Sequence, residues 1–143
     1  MRATRILLVC LIGAATALPV YNLRDTHSIS ISPRERVVIE QPEENDAPEM
    51  WVVGHFPSEK IMVEEGRYGD RRKEKTDEKL TWVQKFTFHC GYAKSGDVLP
   101  VEFWYLKPHF AEQYFNDPRA YEQLHGKQPE IKVIEFKVGK EDL

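Results

Sequence analysis

Residues 80–90 read LTWVQKFTFHC, with Leu80, Trp82, Phe86, Phe88 and Cys90 on one face at period two and Gln84 as the one interruption. Thr81, Lys85, Thr87 and His89 fall on the other face, the alternation of a half-buried strand. The next apolar run, 98–106 (VLPVEFWYL), predicts a second long strand that is apolar on both faces. One of those faces has to be covered by a sheet, a helix, a ligand or a partner. Pro100 cannot donate a ladder hydrogen bond, so it points to an edge position or a bulge near the start of that strand. Further strands are expected at 36–40 (RVVIE) and 130–138 (EIKVIEFKV), from their β-branched content. Two shorter runs, 50–56 (MWVVGHF) and 59–65 (EKIMVEE), flank Pro57-Ser58, a turn that would let them pair as a hairpin. Ile29 and Ile31 alternate with serines and suggest a short edge strand within the polar lead 18–32.

The period changes at 108–126 (PHFAEQYFNDPRAYEQLHG). Phe110 and Tyr114 stand at helical spacing, Asn116-Asp117-Pro118 reads as a cap followed by proline in the first turn, and Gly126 is a stop. Two short helices, or one broken helix, are expected. Segments 41–49 (QPEENDAPE) and 91–97 (GYAKSGD) have loop composition. From Glu64 to Lys79 six basic residues balance six acidic ones, which suggests a solvated connection or hairpin tip rather than a polyanion site. Connections this short leave little room for helical crossovers. The fold class is therefore β-rich, a mainly antiparallel sheet closed into a sandwich or partial barrel, with one short C-terminal helical region that could cover an open face and α+β as the fallback label.

The first seventeen residues, MRATRILLVCLIGAATA, set the compartment. Arg2 and Arg5 precede an apolar run of about a dozen residues that ends in Ala15-Thr16-Ala17, the pattern of a secretory signal peptide and too short for a membrane span. Residues 1–17 are thus a signal peptide, 18–49 a polar and acidic lead with one or two short strands, and 50–143 the main domain. Cleavage removes two of 20 basic residues and none of 23 acidic ones, so 18 against 23 leaves a net charge of −5. That balance argues against a nucleic-acid partner, and no later stretch predicts a membrane span. Secretion is the expected fate. The terminal KEDL resembles a KDEL retrieval signal with its acids exchanged, making the endoplasmic reticulum lumen the minor alternative.

Chemistry is sparsely signalled. The five histidines lack metal-ligand spacing, no cofactor motif occurs, and no catalytic residue is assigned. Cys10 leaves with the signal peptide and Cys90 remains, either as a small buried hydrophobe or, in an oxidising compartment, as the site of an intermolecular disulfide that would join a homodimer. His89 is a poor base for Cys90, because neighbours on a strand point to opposite faces. Glu102 is the carboxylate with the most apolar surroundings, and Arg71-Arg72-Lys73 would suit proprotein cleavage. Aromatics dominate what is left, and Trp82, Phe86, Phe103 and Trp104 are the candidates for a ligand or partner surface. The sequence thus favours a small secreted non-enzymatic binding protein for a protein partner or a small apolar ligand. A secreted hydrolase using carboxylates or Cys90, and an extracellular structural component cross-linked through Cys90, are the alternatives.

Overall fold

In the computed structural model, which describes residues 18–44, 47–70 and 81–139, the alternating segments form eight strands in two four-stranded sheets. The first sheet orders β1 (Val20–Asn22), β3 (Arg36–Pro42), β6 (Thr81–His89) and β5 (Met62–Asp70). The second orders β2 (Ser28–Ile31), β8 (Glu130–Val138), β7 (Val98–Leu106) and β4 (Met50–Val53). Pairing is antiparallel except at two edges, where β1 runs parallel to β3 and β2 parallel to β8. The expected β-rich sandwich is what the chain forms. The expected signal peptide, Arg71-Arg72-Lys73 and the KEDL terminus lie outside the described residues.

The core is the space between the two sheets. Val37, Ile39, Phe86, Phe88 and Cys90 face Trp51, Val101, Phe103, Ile134 and Phe136 across it, all buried. Three phenylalanine contacts organise its centre: Phe86–Phe103 at 5.3 Å, Phe88–Phe103 at 5.9 Å and Phe88–Phe136 at 5.1 Å between ring centroids, all edge to face. Such geometry sets the positive ring edge against a negative ring face and adds to the burial of apolar area.

The polar lead contributes more than one or two short strands. Residues 18–44 supply β1, β2 and β3, and the chain changes sheets between β1 and β2 at the fully buried Leu23. Nor do the 50–56 and 59–65 runs pair as a hairpin. β4 pairs with β7 in one sheet and β5 with β6 in the other. The crossing is fixed by a turn in which Pro57 O accepts from Lys60 N at 3.0 Å and Ile61 N at 3.1 Å, which delivers Ile61 into the core. β5 then forms its hairpin with β6, from Met62↔His89 to Asp70↔Thr81.

Pro100 sits on an interior strand, and local pairing explains how. β4 covers only residues 103–106 of β7, so at Pro100 the ladder has β8 alone as its strand neighbour.

The connection between β7 and β8 is the expected helical region: a 3-10 turn (Pro108–Phe110), α1 (Ala111–Asn116) and α2 (Pro118–His125). Asp117 caps α2 by accepting from Ala120 N at 3.1 Å, Pro118 occupies the first turn, and Gly126 ends the helix at φ 73°. That positive φ is the left-handed conformation glycine adopts without a Cβ penalty. These helices cover the outer face of the second sheet, where Trp104 and Leu106 pack with Tyr114 and Tyr121 in a second buried cluster. The two-faced apolar character of VEFWYL is answered by this layer.

An ion pair ties the opposite end of the sandwich. Asp97 Oδ2 accepts from Lys94 N at 2.8 Å and from Lys60 Nζ at 3.0 Å, linking the β4–β5 and β6–β7 connections. The backbone hydrogen bond from Lys94, then the one from Lys60, hold the Asp97 carboxyl below its usual value. A carboxylate with a depressed folded-state pKa contributes stability above its unfolded value of about 3.9, and the contribution fades as pH falls through the folded value. Asp97→Asn should therefore flatten the acid limb of a stability–pH profile below about pH 4. Chemical denaturation in steps from pH 5 to pH 2 measures this, and an unchanged limb would remove Asp97 from the linkage.

Candidate functional site

Strand register gathers two connections at one end of the sandwich. β3 ends at Pro42 opposite Val83, the last described pair of β5 and β6 is Asp70↔Thr81, and β7 ends at Leu106, with β8 starting opposite Tyr105. The β3–β4 connection and the helical β7–β8 connection therefore stand beside the Asp70↔Thr81 end of the β5–β6 pair. Connections carried on a rigid sandwich are where binding groups concentrate.

Between the two lies a cleft of about 510 Å³, with Glu49, Tyr105, Phe110, Tyr121, His125 and Lys127 among its lining residues. Tyr105 donates to Glu44 Oε2 at 3.5 Å, and Glu44 also meets Arg24 at 3.4 Å. Burial, then the charge of Glu44, raises the pKa of Tyr105; burial, then Glu49, raises that of Tyr121. Both phenols keep their protons at neutral pH. His125 packs tilted against Tyr121 at 4.1 Å and edge-on to Phe110 at 4.4 Å, and its Nε2 is buried without a hydrogen-bond partner.

A second, more apolar cleft of about 310 Å³ opens along the side of the sandwich, between edge strands β4 and β5. Its wall includes a polar device that the strand pattern marked only as an interruption. Gln84, 6% exposed, accepts from Trp51 N at 2.9 Å and donates Nε2 to Trp51 O at 2.7 Å. Its amide thus completes the open edge of β4 as a neighbouring strand would. Glu65 does the same for the next outward donor, accepting from Val53 N at 3.2 Å.

The four sequence-selected aromatics go to three different places. Phe86 and Phe103 are buried between the sheets, and Trp104 is buried under α1 and α2. Trp82, at 41% exposure, is the one of the four that reaches the surface, at the end where the connections gather. Its face is the one the alternation predicts, but the opposing sheet does not extend far enough to cover it. The Arg67 guanidinium lies 4.3 Å from its ring centroid, and Glu43 holds that guanidinium by two hydrogen bonds, at 2.9 Å from Nε and 3.1 Å from Nη2. Glu43 N also donates to Trp82 O at 2.8 Å. Sequence reasoning missed Gln84, Arg67 and Glu43, because their partners are distant in the chain.

Cys90 has 0% exposure within the inter-sheet core. Burial, then the nearby Glu35 charge, pushes its thiol up to about 11, so at neutral pH it is neither a thiolate nucleophile nor presented to another chain. An intermolecular disulfide through it would require the end of β6 to open. His55 packs edge-on to Trp104 and tilted against Phe115, and His109 packs tilted against Phe110, so both belong to the aromatic layer on the outer face of the second sheet. Glu102 accepts from Trp104 Nε1 at 3.1 Å on that face. Among the described residues no three His, Cys, Asp or Glu side chains are placed to hold a metal ion, and no helix is long and apolar enough to cross a membrane.

No family model and no curated protein matches the chain. Its fold is similar to the crystal structure of the cysteine protease inhibitor EhICP2 from Entamoeba histolytica, at a TM-score of 0.58 and 11% identity, covering 85% of this chain and 95% of that one. The solution structure of Amebosin follows at a TM-score of 0.51 and 9% identity, over 85% and 98% of the two chains. PbICP-C, solved in complex with falcipain-2, gives 0.49 at 12% identity, over 85% and 90%. At such identities the likeness is one of fold.

Proposed function

We propose that this chain is a non-enzymatic protein-binding module whose partner is a cysteine peptidase, engaged by the end of the sandwich where the β3–β4 and β7–β8 connections meet. The observation that carries the reading is the fold shared with EhICP2, a cysteine protease inhibitor, over nearly the whole of that chain. The site geometry supports it. The end is built from rigid strands, carries the 510 Å³ cleft and presents Trp82, whereas the thiol that a hydrolase would use is sealed in the core. We take residues 1–17 as the segment that directs the protein into the secretory route, where it would meet peptidases outside the cytosol.

Secretion from eukaryotic cells followed by a peptidase assay tests both parts. The intact mass should begin at Leu18, and the purified chain should abolish hydrolysis of a fluorogenic peptide by papain at near-equimolar ratio while leaving trypsin active. Papain unaffected at a hundredfold excess, or hydrolysis of the substrate by the chain itself, would overturn the binding reading. A mass that still includes residues 1–17 would overturn the targeting.

A further inference from the structure

Three polar side chains of the 310 Å³ cleft between β4 and β5 are engaged within the chain. Gln84 holds both backbone groups of Trp51, Glu65 takes the Val53 N–H, and Arg67 is bound twice by Glu43. Met50, Trp51, Val52, Phe86 and Pro108 supply the apolar lining. With both ends of the Gln84 amide and one group or more of Glu65 and Arg67 held within the chain, the Met50, Trp51, Val52, Phe86 and Pro108 lining favours an apolar occupant. The same bonds block a second mode of recognition. With the Trp51 and Val53 donors occupied, β4 has no open N–H at those positions for an added strand, and contact has to come through a side chain.

Arg67 is the wall that joins this cleft to Trp82. Its guanidinium lies over the indole, and its tether to Glu43 holds the pair still. Tryptophan and arginine dominate the few residues that carry interface energy, and an aromatic ring fixed before binding loses little conformational freedom on contact. We propose that the cleft and Trp82 form one anchoring site, in which an apolar side chain of the cysteine peptidase enters between β4 and β5 while the indole packs beside it. The inference rests on the peptidase-binding reading and names where its affinity is concentrated.

Trp82 is 41% exposed whereas Trp51 and Trp104 are 3% and 2%, so Trp82 is the tryptophan that reports solvent contact at the site. The chain labelled with 5-fluorotryptophan should give one 19F resonance of three that shifts between H2O and D2O, and Trp82→Phe assigns it. Adding unlabelled papain should abolish that solvent shift, move the resonance of Trp51, which lines the cleft, and leave that of Trp104 in place. Trp82→Ala should raise the inhibition constant about 30-fold or more, the effect of losing an interface hot spot, with Trp82→Phe in between. Unmoved Trp51 and Trp104 resonances in Trp82→Ala separate lost contact from lost fold. If the wild-type chain inhibits papain, but Trp82→Ala inhibits equally and the Trp82 resonance keeps its solvent shift in the complex, the anchoring site is overturned and the inhibitor reading stands. A wild-type chain that leaves papain active removes both.

Discussion

Gln84→Leu should destabilise the chain by about 2–4 kcal/mol, because it strips the partners from two backbone groups of Trp51 at once, each costing about 1–3 kcal/mol when left buried and unpaired. Leucine matches the volume and hydrophobicity that the strand pattern calls for at this position. By periodicity alone the substitution should stabilise. The sign of the effect therefore distinguishes the two accounts. Gln84→Glu sharpens the test, because a carboxylate can accept from Trp51 N but cannot donate to Trp51 O. The protonated acid can do both. Its folded-state pKa should lie above the usual carboxylate value, so the variant should gain stability relative to wild type as pH falls through that raised value. Urea midpoints for both variants between pH 4 and pH 8 provide the measurement. A neutral Gln84→Leu, or a Gln84→Glu penalty that does not change with pH, would show that the amide is not acting as a strand surrogate.

Gly54→Ala should cost about 3 kcal/mol or more, at the upper end of overpacking effects. A Cβ at this position would sit 2.6 Å from Cδ2 of Trp104 and closer still to its Nε1 and Cε2. Neither side can easily give way. Gly54 N donates to Glu102 O at 2.7 Å, and the Trp104 indole is fixed edge-on to Tyr114 at 4.7 Å and His55 at 5.1 Å. The clash is steric, so it should respond to the size of the opposing ring. Trp104→Phe alone should be destabilising through the space it leaves, yet the double variant Gly54→Ala/Trp104→Phe should be more stable than Gly54→Ala. Additive losses in a double-mutant cycle of thermal or urea unfolding would refute the contact.

These two positions also show where the sequence stops speaking. The period-two reading of residues 80–90 identifies a strand and its inward face correctly, since Phe86, Phe88 and Cys90 are all core residues. It cannot explain Gln84, whose purpose is set by the backbone of Trp51, thirty-three residues earlier and in the other sheet. Trp82 shares the parity of the core phenylalanines but lies past the edge of the opposing sheet. Alternation tells which way a side chain points, not what it meets. The helix signals at Asp117, Pro118 and Gly126 were legible because capping and left-handed termination are local. The β4–β5 hairpin was misread for the converse reason. Whether two neighbouring strands pair or part depends on where Ile61 finds its contacts, and those are contributed by distant strands. The proposed binding end is of this second kind, since its elements come together only through the register of β3, β5, β6, β7 and β8.

The functional account also depends on what the thiol cannot do. With Cys90 buried between the two sheets and its thiol pushed up to about 11, the residue that made this chain look like a cross-linked component or a cysteine hydrolase is a packing element. The end where the β3–β4 and β7–β8 connections meet carries Trp82 with its bound guanidinium, the aromatic cleft and the acidic β3–β4 connection.

Hydrogen exchange of the chain with and without papain tests that claim most directly. The account predicts slowed exchange at residues 43–49, 81–84 and 105–110, with residues 54–61 and 91–97 at the opposite end unchanged. Protection centred on that opposite end, or no protection at a concentration where papain is saturating, would contradict it.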